Sequence, residues 1–113
     1  MEIKTNDYAV WYEPETSTVF FRGFLRLEGM EEYRPIMDLL LGVLAQSPTL
    51  IINLRELEFL NSSGISMLSM FVVKVRQKGD AVLVFQGSDQ VLWQAKSLKN
   101  LQRLMPSLQL EFS

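Results

Sequence analysis

Residues 50–65 read Leu50-Ile51-Ile52-Asn53-Leu54-Arg55-Glu56-Leu57-Glu58-Phe59-Leu60-Asn61-Ser62-Ser63-Gly64-Ile65. The apolar run at 50–54 is typical of a short strand that is covered on both faces of a sheet. The polar cluster at 61–64 consists of residue types that begin helices, and a helical apolar pattern follows it until Lys78 and Gly79. We therefore predict a buried strand, a polar turn and a helix, in that order.

The flanking segments extend this alternation of strands and helices. Before it lie strand-like runs at 8–12 and 18–27 and a helical pattern at 31–46, whose Pro35 is expected in the first turn. After it lie a strand at 81–85, a helix that Ser88 or Asp89 caps and that runs to Met105, and a strand at 108–112. Gly23 interrupts the second run and predicts a bulge or a close backbone approach. Residues 1–113 are predicted to form a single α/β domain with the order β-β-α-β-α-β-α-β, a mixed, mainly parallel sheet and flanking helices.

The composition excludes several classes of function. The 113 residues contain no Cys and no His, which removes disulfides, thiolate or imidazole metal ligands and imidazole bases. No glycine-rich phosphate loop and no cluster of acidic side chains stands out, so we predict no catalytic residues, no metal and no cofactor. A net charge of −2 argues against a nucleic-acid partner. The sequence therefore predicts a protein that is not an enzyme.

The amino terminus and the apolar runs also predict where the protein works. The first residues, Met1-Glu2-Ile3-Lys4-Thr5-Asn6-Asp7, are polar and unlike a signal peptide. The most apolar run, residues 36–45, contains Asp38 and is far shorter than the ~20 residues that span a bilayer. We expect a cytoplasmic protein that does not associate with a membrane.

The segment quoted above resembles the STAS family, which includes bacterial anti-sigma-factor antagonists. The family pattern has a buried strand, a few polar residues, an aromatic or aliphatic pair, and then Asp-Ser-Ser-Gly at the start of a helix. Gly23, the Lys78-Gly79 helix end and the strand near residues 82–85 match as well. The resemblance implies an anti-sigma-factor-antagonist-like regulator that binds a protein partner. A serine kinase, often the anti-sigma factor itself, would phosphorylate Ser62 and abolish binding, and a phosphatase would restore it.

Two positions depart from the family pattern. Asn61 stands where the family has Asp, and Gly23-Phe24-Leu25-Arg26 stands where it often has Gly-Glu-Leu-Asp. The sequence Leu60-Asn61-Ser62-Ser63 is also similar to the biofilm-regulation phosphoprotein family, in which Leu-Asn precedes a phosphorylatable Thr. Unphosphorylated members of that family bind and activate a diguanylate cyclase. A phosphorylation-controlled activator of such a cyclase is therefore the alternative function.

The predicted partner surface begins at the motif and continues along the helix. Serines at four- and three-residue spacings form a small-residue face that is open to a partner or packed against a neighbour. Two methionines on the same helix are adaptable side chains that suit either a binding surface or the core. The simplest alternative is a structural adaptor in which Ser62 only caps the helix. The protein is expected to be a monomer or a weak dimer. The predicted partner-binding residues are Asn61, Ser62, Ser63, Gly64, Ser66, Met67, Ser69 and Met70.

Overall fold

The computed structural model describes residues 2–113, which form six strands and three α-helices. A short 3-10 helix at Pro14–Thr16 joins the second and third strands. In chain order the elements are β1 (Glu2–Lys4), β2 (Tyr8–Glu13), β3 (Thr18–Leu25), α1 (Gly29–Gln46), β4 (Thr49–Leu60), α2 (Ser62–Lys78), β5 (Val82–Gly87), α3 (Leu92–Gln102) and β6 (Gln109–Phe112).

The strands form one sheet in the order β1-β2-β3-β4-β5-β6. The first two pairings are antiparallel and the remaining three are parallel, so the sheet is mixed as predicted. Each helix connects one parallel strand to the next in the same direction across the sheet. Because such crossovers are right-handed, all three helices lie on one face. The carboxyl ends of β3, β4 and β5, and the loops that start the helices, therefore share one edge of the domain.

The core fills the space between the sheet and this single layer of helices. On β4, Leu50, Ile52 and Leu54 are buried, whereas Ile51 and Asn53, which point to the other face, remain partly exposed. The prediction that residues 50–54 are covered on both faces is therefore wrong. Apolar runs are typical of parallel strands in general, and the pattern does not tell which face lacks helices.

Several element boundaries also differ from the sequence prediction. The structure adds β1, which pairs with β2 and was not expected from its polar residues. Strand β4 extends to Leu60 through an irregular register against β3. Helix α1 begins at Gly29, so Pro35 lies beyond the first turn, and both Pro35 and Glu31, whose carbonyl receives no N–H from Pro35, are exposed. Helix α3 is shorter than predicted and starts without a side-chain cap.

Gly23 confirms the expectation of an irregular, closely approached strand position. Its φ is +95°, and the β3–β4 register shifts next to it. A Cβ atom at this position would collide with the backbone carbonyl oxygen of Asp7 on the loop that follows β1. Only glycine combines this dihedral angle with this contact.

Candidate functional site

Asn61 forms the junction between β4 and α2. Its backbone is extended, with φ −78° and ψ 176°, and its side-chain oxygen Oδ1 accepts a hydrogen bond from the Gly64 N–H at 3.0 Å. The same oxygen accepts from the Tyr33 hydroxyl at 2.6 Å, and the amide nitrogen Nδ2 donates to the Leu27 carbonyl at 2.8 Å. Asn61 is thus the N-cap of α2 and also joins α2 to α1 and to the loop after β3.

The hydroxyl that bonds to Asn61 belongs to a fully buried tyrosine of α1. Loss of water around that hydroxyl raises the pKa of Tyr33 above its ordinary value of 10.0. Tyr33 therefore stays protonated over the physiological range and keeps its hydrogen-bond donor for Asn61. Because both ends of the Asn61 amide are already bonded, we assign Asn61 the role of positioning the start of α2.

Gly64 packs inside the domain at the same junction. It is buried, and an added Cβ atom would overlap Leu60 Cδ1 and lie 2.8 Å from the Tyr33 hydroxyl. The space that a side chain at position 64 would need is therefore occupied by Leu60 and Tyr33 of the core, and Gly64 is not available to a partner. Met67 is also fully buried. The structure corrects the prediction that these two residues contact a partner, because both point to the core side of α2.

Ser62 is exposed and is the first residue of α2. The N–H groups of Gly64 and Ile65 are bonded to the Asn61 side chain and backbone, whereas those of Ser62 and Ser63 make no hydrogen bond among residues 2–113. Residues 62–79 contain no Asp or Glu. The positive end of the helix dipole and these free N–H groups would accommodate a phosphate on Ser62 without disturbing the core.

An exposed stripe runs from Ser62 along α2. Its members are Ser62, Ser66 and Met70, which are four residues apart and therefore lie on one side of the helix. Met70 is 48% exposed, a large fraction for an apolar side chain in a core-forming helix. Ser63 and Ser69 flank the stripe and are partly buried, and the Ser69 hydroxyl donates to the Ile65 carbonyl at 2.9 Å. We call Ser62, Ser66 and Met70 the α2 stripe.

The α2 stripe opens into an apolar groove of about 340 Å³ at its far end. The groove lies between α2 and the segment that follows α3, where the Arg76 guanidinium donates to the Leu104 carbonyl at 2.9 Å. Such a groove beside an exposed methionine is a suitable surface for apolar side chains of another protein. Its lining residues are Ser69, Met70, Val73, Lys74, Gln77 and Leu104.

Three exposed apolar residues that were not predicted from the sequence lie at the edge where α2 begins. Phe24 and Phe59 are register partners on β3 and β4, and both are more than one-third exposed. The Arg26 guanidinium lies 6.0 Å from the Phe59 ring centre, over its face. Leu92, at the start of α3, is 95% exposed. The apolar residues Phe59 and Leu60 are a signal in the sequence that β4 continues to Asn61. The position of Phe24 beside Phe59 depends on the register between β3 and β4.

Trp93 follows Leu92 and is partly buried against the core. Its indole N–H donates to the Glu58 carbonyl at 3.1 Å, and the neighbouring, fully buried Gln94 donates to the carbonyls of Leu54 and Leu57. These bonds satisfy carbonyl groups of β4 beyond Asn53, where its pairing with β5 ends. Trp93 and Gln94 therefore connect residues 54–58 of β4 to α3 through hydrogen bonds.

Two general findings hold for residues 2–113. They contain no group of three or more acidic side chains that could hold a metal ion. None of their helices is both long and apolar enough to cross a membrane.

The sheet order, the three helices and the start of α2 form the α/β fold that the STAS resemblance implies. Among solved structures, the chain shares this fold with apo-SiaC from Pseudomonas aeruginosa, at a TM-score of 0.74 and 15% identity over 100% of this chain and 97% of SiaC. A structure of the diguanylate cyclase SiaD in complex with its activator SiaC, also from Pseudomonas aeruginosa, contains a similar chain. That match has a TM-score of 0.73 and 16% identity, and it covers 100% of this chain and 99% of the other. No family model and no curated protein matches the sequence.

Proposed function

We propose that this chain is a non-catalytic regulatory protein that binds and activates a diguanylate cyclase, and that phosphorylation of Ser62 prevents the binding. The observation that carries the proposal is the full-length likeness of the fold to SiaC, the activator of a diguanylate cyclase. The Leu60-Asn61-Ser62-Ser63 motif supports it, because its similarity to the biofilm-regulation phosphoproteins covers the exposed start of α2. The proposal therefore favours cyclase activation over anti-sigma-factor antagonism.

The α2 stripe and its groove are the proposed contact surface for the cyclase. Ser62 and Met70 at the two ends of the stripe are exposed, and the groove beyond Met70 is largely apolar. A partner that covers this surface removes Ser62 from water. A phosphate on Ser62 would add about −1.5 to −2 charges there, and the cost of dehydrating that charge opposes docking. The same charge is favourable in the free protein because it lies at the amino end of α2.

Titration of the unphosphorylated chain into each purified diguanylate cyclase of its native host tests this proposal. We expect one cyclase to bind with a Kd of about a micromolar or tighter and to form cyclic di-GMP faster when bound. If an anti-sigma-factor kinase binds instead, and no cyclase does, the function is that of an anti-sigma-factor antagonist. If phosphorylation leaves binding to the identified partner unchanged, the protein is an adaptor without a phosphorylation switch.

The substitution Met70→Glu is expected to weaken cyclase binding by at least about tenfold, or about 1.4 kcal/mol. The reason is that a carboxylate replaces an exposed apolar side chain at the entrance to the groove, where a partner would have to dehydrate it. Binding is measured by calorimetry, and thermal unfolding verifies that the fold persists.

Ala45→Glu is the matched control for this prediction, because it adds the same charge at an exposed position near the end of α1. It should bind the cyclase like the wild type. Equal binding by all three proteins would exclude the α2 stripe as the contact surface.

A further inference from the structure

Strand β6 forms one edge of the sheet and pairs only with β5 among residues 2–113. The Ser113 N–H donates to the Gly87 carbonyl at 3.2 Å. This bond shows which residues of β6 direct their backbone groups toward β5. In a parallel ladder, alternate residues direct their N–H and C=O groups toward the neighbouring strand. The backbone groups of Gln109 and Glu111 therefore face β5, and those of Leu110 and Phe112 face the free edge.

A cleft of about 710 Å³ lies beside this free edge. The outer side of α3 and its C-terminal turn form one wall, and β6 forms the other. The side chains of Leu110 and Phe112 are partly exposed on the same face of the sheet as α3. An extended segment that pairs with the free edge would direct every second side chain into this cleft. The lining residues are Lys99, Gln102, Arg103, Pro106, Leu110 and Phe112.

The charges around β6 differ between the two faces of the sheet. Lys99 and Arg103 are exposed in the cleft, and no acidic side chain of residues 2–113 lines it. On the opposite face, Glu111 accepts a hydrogen bond from the Gln86 amide at 3.1 Å. An acidic side chain is therefore favoured on the cleft side of an added strand and disfavoured on the other side, next to Glu111.

We propose that the β6 edge binds an extended acidic segment of a partner protein, which adds a seventh strand to the sheet. The Leu110 and Phe112 backbone groups supply the strand hydrogen bonds. Carboxylates on the cleft side of the segment contact Lys99 and Arg103. The side chains on its other side are neutral. This mode of recognition combines backbone pairing, which provides affinity, with side-chain contacts at alternate positions, which provide specificity.

The same charges disfavour a second copy of this chain as the occupant. Two β6 strands that pair around a two-fold axis would bring the Lys99 and Arg103 side chains of both copies to the same junction. Like charges in that position repel.

A fluorescent peptide that alternates threonine with glutamate is the probe for this edge. We expect it to bind the full chain, with changes in the amide NMR signals of Leu110 and Phe112 and none along the α2 stripe. Arg103→Glu should weaken its binding by at least about tenfold, and a matching peptide that alternates threonine with lysine should then bind the variant better than the wild type.

Two controls separate strand pairing from simple charge attraction. Arg34→Glu changes the same charge on the exposed face of α1 and should leave peptide binding unchanged. N-methylation of alternate peptide residues removes hydrogen-bond donors and should abolish binding. The proposal is wrong if the methylated peptide binds equally well, if both Arg variants bind alike, or if sedimentation shows dimers that occupy the β6 edge.

Discussion

Ser62→Asp is expected to abolish activation of the cyclase while it leaves the fold intact. A carboxylate at the amino end of α2 is favourable for the free protein by ~0.3–1 kcal/mol. In a complex that covers the α2 stripe, the same charge has to be dehydrated, and binding should fall below detection. Cyclase activity and thermal unfolding of the same preparations measure the two effects.

Ser62→Ala and Ala45→Asp are the controls for this prediction. Asn61, not Ser62, caps α2, so Ser62→Ala removes no cap and should activate the cyclase constitutively at nearly unchanged stability. Ala45 is exposed near the end of α1, and Ala45→Asp adds the same charge outside the α2 stripe and its groove. Full activity of the Ser62→Asp protein would remove Ser62 from the contact surface.

Asn61→Asp is expected to destabilise the domain by about 1–3 kcal/mol, although aspartate is itself a good N-cap. The carboxylate still accepts hydrogen bonds from Gly64 and Tyr33, but it has no donor for the Leu27 carbonyl. An oxygen would then face an oxygen where Nδ2 now donates at 2.8 Å. Urea unfolding measures the loss of stability.

The pH dependence of this variant identifies the cause. Repulsion by the Leu27 carbonyl should raise the pKa of the new carboxyl group in the folded protein above its unfolded value of ~4, and the protonated form regains a donor. The stability deficit relative to wild type should therefore shrink as the pH falls toward ~4. We also expect the cognate kinase to phosphorylate the variant more slowly, because the start of α2 loses one of its attachments. A variant that is as stable as wild type at neutral pH and is phosphorylated faster would contradict the positioning role of Asn61.

Apart from β1, the order of elements could be predicted from periodicity and from the turn residues, because these are local properties of the chain. The start of α2 is an example, since Asn61 and the residues after it carry the cap and the helical pattern. The hydrogen bonds that hold the Asn61 side chain in place are not local in sequence. Tyr33 and Leu27 lie about thirty residues from Asn61 in the sequence, and no sequence pattern predicts that they contact it.

The boundary between contact surface and core was the weakest part of the sequence prediction. Helix α2 is apolar on several sides, so its periodicity could not decide that Met67 is buried and Met70 exposed. That distinction depends on where α1 and the segment after α3 pack against α2. The exposed pair Phe24 and Phe59 likewise depends on the irregular β3–β4 register, which follows from the whole sheet.

The rate of cyclic di-GMP formation by the cognate cyclase, measured with the chain before and after complete phosphorylation of Ser62, shows whether this serine controls activation. The unphosphorylated chain should raise the rate in proportion to the complex formed. The phosphorylated chain should leave the rate at the level of the cyclase alone, and phosphatase treatment should restore the activation. Equal activation by both forms would exclude control by Ser62 phosphorylation, and no activation by either form would exclude the chain as an activator of this cyclase.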